Sequence, residues 1–448
     1  MAVPDISEDD HLYDCGALQV AAALEVDAMA TRKKKTPGGD AKKAAAKKKT
    51  TKAASKSRRP KDADDDTSPD RWARYDDGVI ISMCQLMIDG EPMEDISAHI
   101  WDTFHTYIDR VQVTRALGEA GRRRMFHLLP PEHATLSQRM VDCFGSAAPG
   151  AAGKGSKRKT IAVVKSMDQP SLAHIAAVAA QTTLSLIRQK FKEKNPGLAT
   201  KRRVSKDHKP NRVHVGIGAG ATTRMIARYL ADEMRAEADP PWVNLHALSS
   251  GFLVDDPISA PNAYFSFFDG IPGMKYTGLF SKPYVTTREW KKACEGEVGV
   301  CEAVKQKDKL DIVVTSLASA QDAHGELNRW MDTYETYAKK SGEMMKKAGR
   351  VGDVMYRPFS DTAPIVVPNE TRAATLFELT DLVKFAARKG KAVVLVAGPC
   401  GHPDCRRSRD DALYPLLTQR PKLDVWTHLV TDEGTASNTL ARWDASHG

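Results

Sequence analysis

Val213-His-Val-Gly-Ile-Gly-Ala-Gly-Ala-Thr-Thr-Arg-Met-Ile-Ala-Arg228 decides the reading of this chain. The mostly apolar run Val213-His-Val-Gly-Ile217 spells a strand buried in a sheet, and the residues from Thr222 to Glu233 carry a helical pattern. Between them stand Gly216, Gly218 and Gly220, followed by Thr222 and Thr223. Glycines let a backbone approach an anion closely, a helix start offers unpaired N–H donors, and threonine hydroxyls add more. Arg224 adds positive charge. The segment therefore predicts a phosphate- or polyol-binding turn, with a ligand-free strand–helix turn as the plainer alternative. No Lys-Ser/Thr pair follows the glycines, so this is not the P-loop of the nucleotide hydrolases, and the spacing is wrong for a dinucleotide fingerprint.

Working outward, strand-like runs alternate with helices on both sides. Strands are predicted at Thr160–Val164, Trp242–Leu248, Asp311–Ser316, Lys391–Ala397 and Trp426–Val430. Helices are predicted at Ser171–Phe191 and Thr375–Ala387. Such alternation implies an α/β domain with a mainly parallel, doubly wound sheet covered on both faces. It spans residues 159–448, after a Gly/Ala/Ser-rich linker over 146–158.

Residues 71–145 read instead as a small helical domain. Val79, Ile80, Ile81, Cys84, Leu86 and Met87 recur at helical spacing, and Asp89-Gly90 ends that helix. A second short helix over Glu91–Trp101 turns Ile96, Ile100 and Trp101 inward. A third over Tyr107–Gly121 turns Ile108, Val111, Leu117 and Ala120 inward, leaving Arg110, Gln112, Thr114 and Arg115 for its other face. Arg122-Arg123-Arg124 and a short strand at Met125–Leu129 follow. Three helices, a basic turn and a strand suit a helix-turn-helix with a partial wing; a generic helical bundle is the alternative.

The formal net charge is +9, from 66 Lys+Arg against 57 Asp+Glu. Thr31–Lys61 holds 14 basic residues and one acid, so the rest of the chain is mildly acidic. Residues 1–70 thus read as a disordered Lys/Ala-rich tail with no apolar stripe to bury. The tail reads as a polyanion-binding arm or a solubilising segment. Seven scattered cysteines do not form a disulfide framework and suggest a reducing, cytoplasmic setting. No apolar run approaches bilayer length, and no membrane association is expected.

Other polar clusters are less telling. Cys400-Gly-His-Pro-Asp-Cys405 has metal-ligand residue types, but no second Cys/His pair nearby in sequence completes a tetrahedral set. It reads as a loop after the Lys391–Ala397 strand whose Arg406, Arg407 and Arg409 face an anion, and neither metal nor cofactor is called for. Thr431-Asp432-Glu433 follows the last strand and reads as a cap for the helix predicted from Ala436 to Trp443, rather than as an acid/base pair. Asp353 and Asp361, in loops around Pro358, are candidate ligands for sugar hydroxyls.

The order of these pieces resembles the SorC family of bacterial transcriptional regulators. The matches run from Gly218-Ala-Gly-Ala-Thr222 through Leu279-Phe-Ser-Lys-Pro283, Asp311-Ile-Val-Val314, Val351-Gly-Asp353 and Phe359-Ser-Asp361 to Leu429-Val-Thr-Asp-Glu-Gly-Thr-Ala436. Upstream, Val113-Thr-Arg-Ala-Leu-Gly-Glu-Ala120 resembles the family's DNA-recognition helix, and 129–145 its junction between domains. The resemblance covers roughly residues 72–445. It implies an N-terminal helix-turn-helix and a second domain similar to ribose-5-phosphate isomerase and glucosamine-6-phosphate deaminase. It further implies a phosphorylated-sugar effector and dimers or tetramers on operator DNA. Three features depart from the family: a longer turn around Trp101–Thr106 without glycine, Arg409 where the family tends to have lysine, and Ser249-Ser250-Gly251 in place of paired glycines.

The sequence thus predicts a cytoplasmic, nucleoid-associated regulator rather than an enzyme. Its effector site would comprise Gly218, Gly220, Thr222, Thr223 and Arg224, with Lys282, Asp361 and Arg409 closing on the ligand. Its DNA contacts would come from Arg110, Gln112, Thr114 and Arg115, and from Arg122, Arg123 and Arg124. The competing expectations are a sugar-phosphate isomerase or deaminase on the same fold, and an architectural protein acting through its tail.

Overall fold

The structure, a computed structural model, describes residues 75–122, 131–145, 159–165, 172–197, 210–237, 239–251, 253, 255–367, 371–402, 405 and 407–447. The basic tail, the strand expected at Met125–Leu129, and Arg123, Arg124 and Arg406 lie outside the described residues.

Three helices come first: α1 (Asp77–Ile88), α2 (Met93–Phe104) and α3 (Arg110–Arg122). Asp76 caps α1 by accepting from the Val79 N–H at 2.9 Å. Their own small core joins Tyr75, Val79, Ile80 and Met83 to Ile96, Ile100, Ile108, Val113, Ala116 and Ala120. Three residues expected inward stand out instead: Ile81, Trp101 and Val111 are each about half exposed. In α3 the buried stripe runs Val113, Ala116, Ala120, and that phase carries Val111 to the outside. Ile100 takes the inward place beside Trp101. The turn between α2 and α3 has no glycine, so His105 adopts the left-handed conformation (φ 51°) that ends α2.

The α/β domain follows. It comprises α4 (Ala134–Phe144), β1 (Thr160–Val164), α5 (Leu172–Lys194), β2 (Val213–Ile217), α6 (Ala221–Ala236), β3 (Val243–Ala247), α7 (Pro261–Tyr264) and β4 (Lys275–Thr277). Next come β5 (Tyr284–Val285), α8 (Thr287–Gly296), α9 (Val298–Gln306), β6 (Ile312–Ser319), α10 (Glu326–Thr333), α11 (Glu335–Lys347), β7 (Gly352–Val354) and β8 (Arg357–Phe359). The chain closes with β9 (Arg372–Ala373), α12 (Leu379–Ala387), β10 (Ala392–Ala397), α13 (Asp410–Thr418), β11 (His428–Asp432) and α14 (Glu433–His447).

The main sheet runs β1-β11-β10-β6-β2-β3-β4, and neighbours in that order pair in parallel. Its side chains alternate between two cores. Val213, Val215, Ile312, Val314, Val394 and Val396 pack under α5 and α6 on one face. Val313, Leu317, Val393, Leu395 and Leu429 pack under α4, α9, α12, α13 and α14 on the other. This is the doubly wound α/β sheet that the strand–helix alternation predicts. The sequence reading groups α4 with the N-terminal helices, but Met140 and Phe144 join the sheet core. Its approach is fixed by backbone bonds from His133 N–H to Val163 O (2.7 Å) and from Lys165 N–H to Pro131 O (2.9 Å).

Strand β6 is longer than its partners. Ile312–Ser316 pairs with β10 in parallel, while Leu317–Ser319 pairs antiparallel with β7, which turns back as β8. The β7–β8 turn holds Met355 and Tyr356 at φ 52° and 60°. Two adjacent non-glycine residues in the left-handed region are costly, at about 1–3 kcal/mol each. Among the described residues no helix is long and apolar enough to cross a membrane.

Candidate functional site

The glycine loop leaves the carboxyl end of β2 beside β6, the side on which open α/β sheets place ligands. Its glycines are required by crowding and by backbone conformation. A Cβ on Gly216 would lie 2.6 Å from Leu248, and one on Gly218 would lie 3.1 Å from Thr315 Oγ1. Gly220 sits at φ 111°. Its carbonyl accepts from Thr223 Oγ1 (2.9 Å) and the Tyr264 hydroxyl (3.0 Å), while its N–H donates to Ser259 O (3.1 Å). Gly220 has no side chain to cap α6. The N–H groups of Ala221, Thr222 and Thr223 therefore have no acceptor among the described residues. Three open donors at the positive end of a 16-residue helix form a cradle whose chemistry suits an anion or a hydroxyl.

A carboxyl faces that cradle. Glu326 opens α10, and its Oε1 is 3.7 Å from where a Cβ on Gly220 would stand, with Ser316 Oγ near the same point at 3.8 Å. Burial raises the Glu326 carboxyl to about 7, with Asp256 and Asp353 adding to the rise. The Tyr356 hydroxyl and the Ser259 side chain bond to it and oppose that shift. Tyr356 reaches Glu326 from the β7–β8 turn. Near neutrality Glu326 thus exchanges a proton: ionised it accepts hydroxyl hydrogens, neutral it tolerates an anion beside it.

The other predicted effector residues are placed differently. Arg224 is half-buried on α6. Lys282 Nζ stands 3.7 Å from Glu289 Oε1 with a 76% exposed side chain, and Asp361 is exposed after β8. Among the described residues neither of the two contacts the glycine loop. Arg409 is buried, donating to Leu317 O and, at 3.3 Å, to Asp322 Oδ2. It pairs with Asp322 and, after Arg350, is the second cation that opposes the burial which raises the Asp353 carboxyl to about 6. Asp432 caps α14 as expected, its Oδ2 accepting from Thr435 N–H at 3.0 Å.

On α3, Arg110, Thr114 and Arg115 are exposed. Arg110 pairs with Glu94, and Thr114 Oγ1 donates to Arg110 O. Gln112, expected on the same face, is a correction: it is buried. It exchanges bonds with Asp109 at the helix start (2.9 and 2.8 Å) and donates to the Tyr75 hydroxyl at 2.7 Å. That reciprocal cap starts the helix at Arg110 rather than Tyr107. Arg122 is its last residue. The sequence reading missed Glu326, Tyr356, Ser259 and Tyr264. Only Glu326 carried a signal, as an acid shortly after a predicted strand.

No protein-family model matches this chain, and no curated protein matches it. Solved structures do. The full-length sorbitol operon regulator SorC from Klebsiella pneumoniae superposes with a TM-score of 0.53 at 14% identity, over 82% of this chain and 99% of that one. The chain shares the fold of full-length SorC. That coverage exceeds what residues 159–448 alone provide, so the likeness to SorC reaches into the N-terminal helices. A probable sor operon regulator from Shigella flexneri matches over 68% of this chain and 98% of its own (TM-score 0.47, 14% identity). A DeoR family transcriptional regulator from Listeria monocytogenes matches over the same shares (TM-score 0.45, 15% identity).

Proposed function

We propose that this chain is a DNA-binding transcriptional regulator controlled by a sugar or sugar phosphate held at the glycine loop. The observation that carries the reading is the uncapped start of α6, with three open N–H groups facing Glu326, in a fold shared with SorC. A phosphate or polyol oxygen would bond to the N–H groups of Ala221–Thr223, with Arg224 alongside, and Glu326 would bond to a hydroxyl. Arg110, Thr114 and Arg115 are the base-facing side chains of this reading. Arg122, Arg123, Arg124 and the basic tail supply phosphate contacts. The setting is cytoplasmic and the working form a dimer or tetramer, whose two domain arrangements bind the effector unequally and so shift operator affinity.

The test is promoter-fragment binding by fluorescence anisotropy, with and without a panel of free and phosphorylated sugars, beside thermal melting. A true effector changes DNA affinity and stabilises the protein by RT ln(1 + [L]/Kd), about 2.7 kcal/mol at a hundredfold excess over Kd. If no sugar alters either readout and no promoter DNA is retained, the reading is wrong. A second reading, a sugar-phosphate isomerase or deaminase, draws on one observation: a carboxyl raised to about 7 beside an anion cradle suits proton abstraction. Turnover of ribose 5-phosphate or an amino-sugar phosphate would reverse the ranking.

A further inference from the structure

Cys400 and Cys405 lack ligand partners in their own stretch of sequence, but the fold supplies them. Strand β6 lies beside β10 with Ser316 opposite Val396. The chain after β6 therefore brings Asp322 and His324 to the loop after β10. One carboxylate oxygen of Asp322 and the two thiol sulfurs all lie within 4.8 Å of one another. The His324 and His402 rings stack with centroids 3.9 Å apart and 5° between planes. Backbone bonds hold the cluster's loops: Cys400 N–H to Arg407 O (2.9 Å), Cys405 N–H to His402 O (3.1 Å) and His324 N–H to Asp322 Oδ1 (3.0 Å). Asp322 and Cys400 are buried, Cys405 is half-buried, and both imidazoles are exposed, so an ion has a way in.

We propose that Cys400, Cys405 and Asp322, with one imidazole of the His324/His402 pair, form a site for zinc or a similar thiophilic divalent ion. Two thiolates, one carboxylate and one imidazole are a tetrahedral ligand set that excludes magnesium and calcium. Zinc–sulfur bonds of about 2.3 Å put ligand atoms roughly 3.8 Å apart. The three atoms therefore need to contract by about an ångström, and an imidazole, which lies outside that 4.8 Å set, has to swing in from the exposed pair. Arg409, bonded to Asp322 Oδ2, holds the carboxylate in place as an outer-shell partner. With four protein ligands the site is closed, so its role is structural: it clamps the β6 and β10 loops together.

The test titrates the reduced, metal-free full chain anaerobically with Co²⁺ and then Zn²⁺. The expected result is one equivalent of cobalt with a thiolate-to-metal charge-transfer band and intense tetrahedral d–d bands, displaced by zinc. Cys405→Ser removes the charge-transfer intensity of one thiolate and abolishes the rise in Tm that zinc produces in the parent. Asp322→Asn weakens cobalt binding by about tenfold or more. Because Asp322 is buried, the exposed double variant His324→Ala/His402→Ala keeps the test independent of folding: with water in place of the imidazole its d–d bands shift and cobalt binds more weakly. The proposal is overturned if the folded parent shows no thiolate–cobalt band, or if Cys405→Ser binds cobalt unchanged. It is also overturned if the two thiols only oxidise to a disulfide and the reduced protein takes up no metal.

Discussion

Two loops leave the carboxyl ends of strands on either side of β6, and they have opposite polarity. After β2, Gly218–Thr223 offers backbone hydrogens and the positive end of α6. After β10, Cys400–Cys405 offers sulfurs that meet the Asp322 carboxylate. The fold gives both loops the same address at the carboxyl end of the sheet. Residue type sets what each could bind: glycine exposes the backbone and suits an anion or a hydroxyl, while cysteine and aspartate cover the backbone with lone pairs and suit a cation. A shared fold therefore locates both sites and specifies neither ligand.

The largest expected effect comes from removing the charge that keeps the second loop neutral without a metal. Arg409→Met leaves Asp322 buried beside an apolar side chain, while Asp353 keeps Arg350, and loss of one partner from such a network costs about 3–5 kcal/mol. Thermal melting should show it, and zinc should restore part of the loss by taking over the charge on Asp322. No difference between the parent and Arg409→Met in the zinc-induced rise in Tm would break the contrast drawn above. Next, Gly220→Ala meets no clash, since its Cβ has 3.7 Å of room, but it must hold φ 111°. About 1–3 kcal/mol of destabilisation is expected, together with loss of sugar binding and unchanged cobalt binding.

Glu326→Gln should act more gently, and through pH. In the parent the carboxyl is raised from 4.5 to about 7. Its burial therefore costs nothing at low pH, and stability falls as pH rises from about 4.5 to about 7, levelling above that. The variant should lack this decline in melting curves taken across that window. A phosphorylated effector should bind the parent more weakly above pH 7, while the variant's affinity should follow only the titration of the phosphate itself. The smallest effect belongs to Lys282→Ala. Its exposed pairing with Glu289 predicts less than about 0.5 kcal/mol in stability and no change in sugar affinity. A large loss of affinity would show that the β4–β5 loop closes on the ligand after all.

The sheet was legible because buried parallel strands announce themselves: Ala392–Ala397 is apolar throughout, Val213–Ile217 is broken only by His214, and both form strands near the predicted bounds. The glycine loop was legible because close approach to backbone demands glycine. The facing wall was not. Glu326 and Tyr264 meet the loop from two separate segments, and Tyr356, which reaches Glu326, stands in a left-handed turn that no glycine marks. The Cys400–Cys405 cluster seemed incomplete because Asp322 and His324 lie nearly eighty residues upstream and arrive only through the β6–β10 pairing. On α3 the error was one of phase. Val111 and Gln112 are both plausible on either side of an amphipathic helix, and the cap with Asp109 decided the rotation.

If α3 reads DNA as proposed, that rotation decides which positions could retarget the chain to a different operator. A randomised library built on the outward face of α3 belongs at positions 110, 111, 114, 115 and 118, all of which are exposed. Codon 112 should stay fixed, because diversity spent there returns misfolded clones rather than new base preferences.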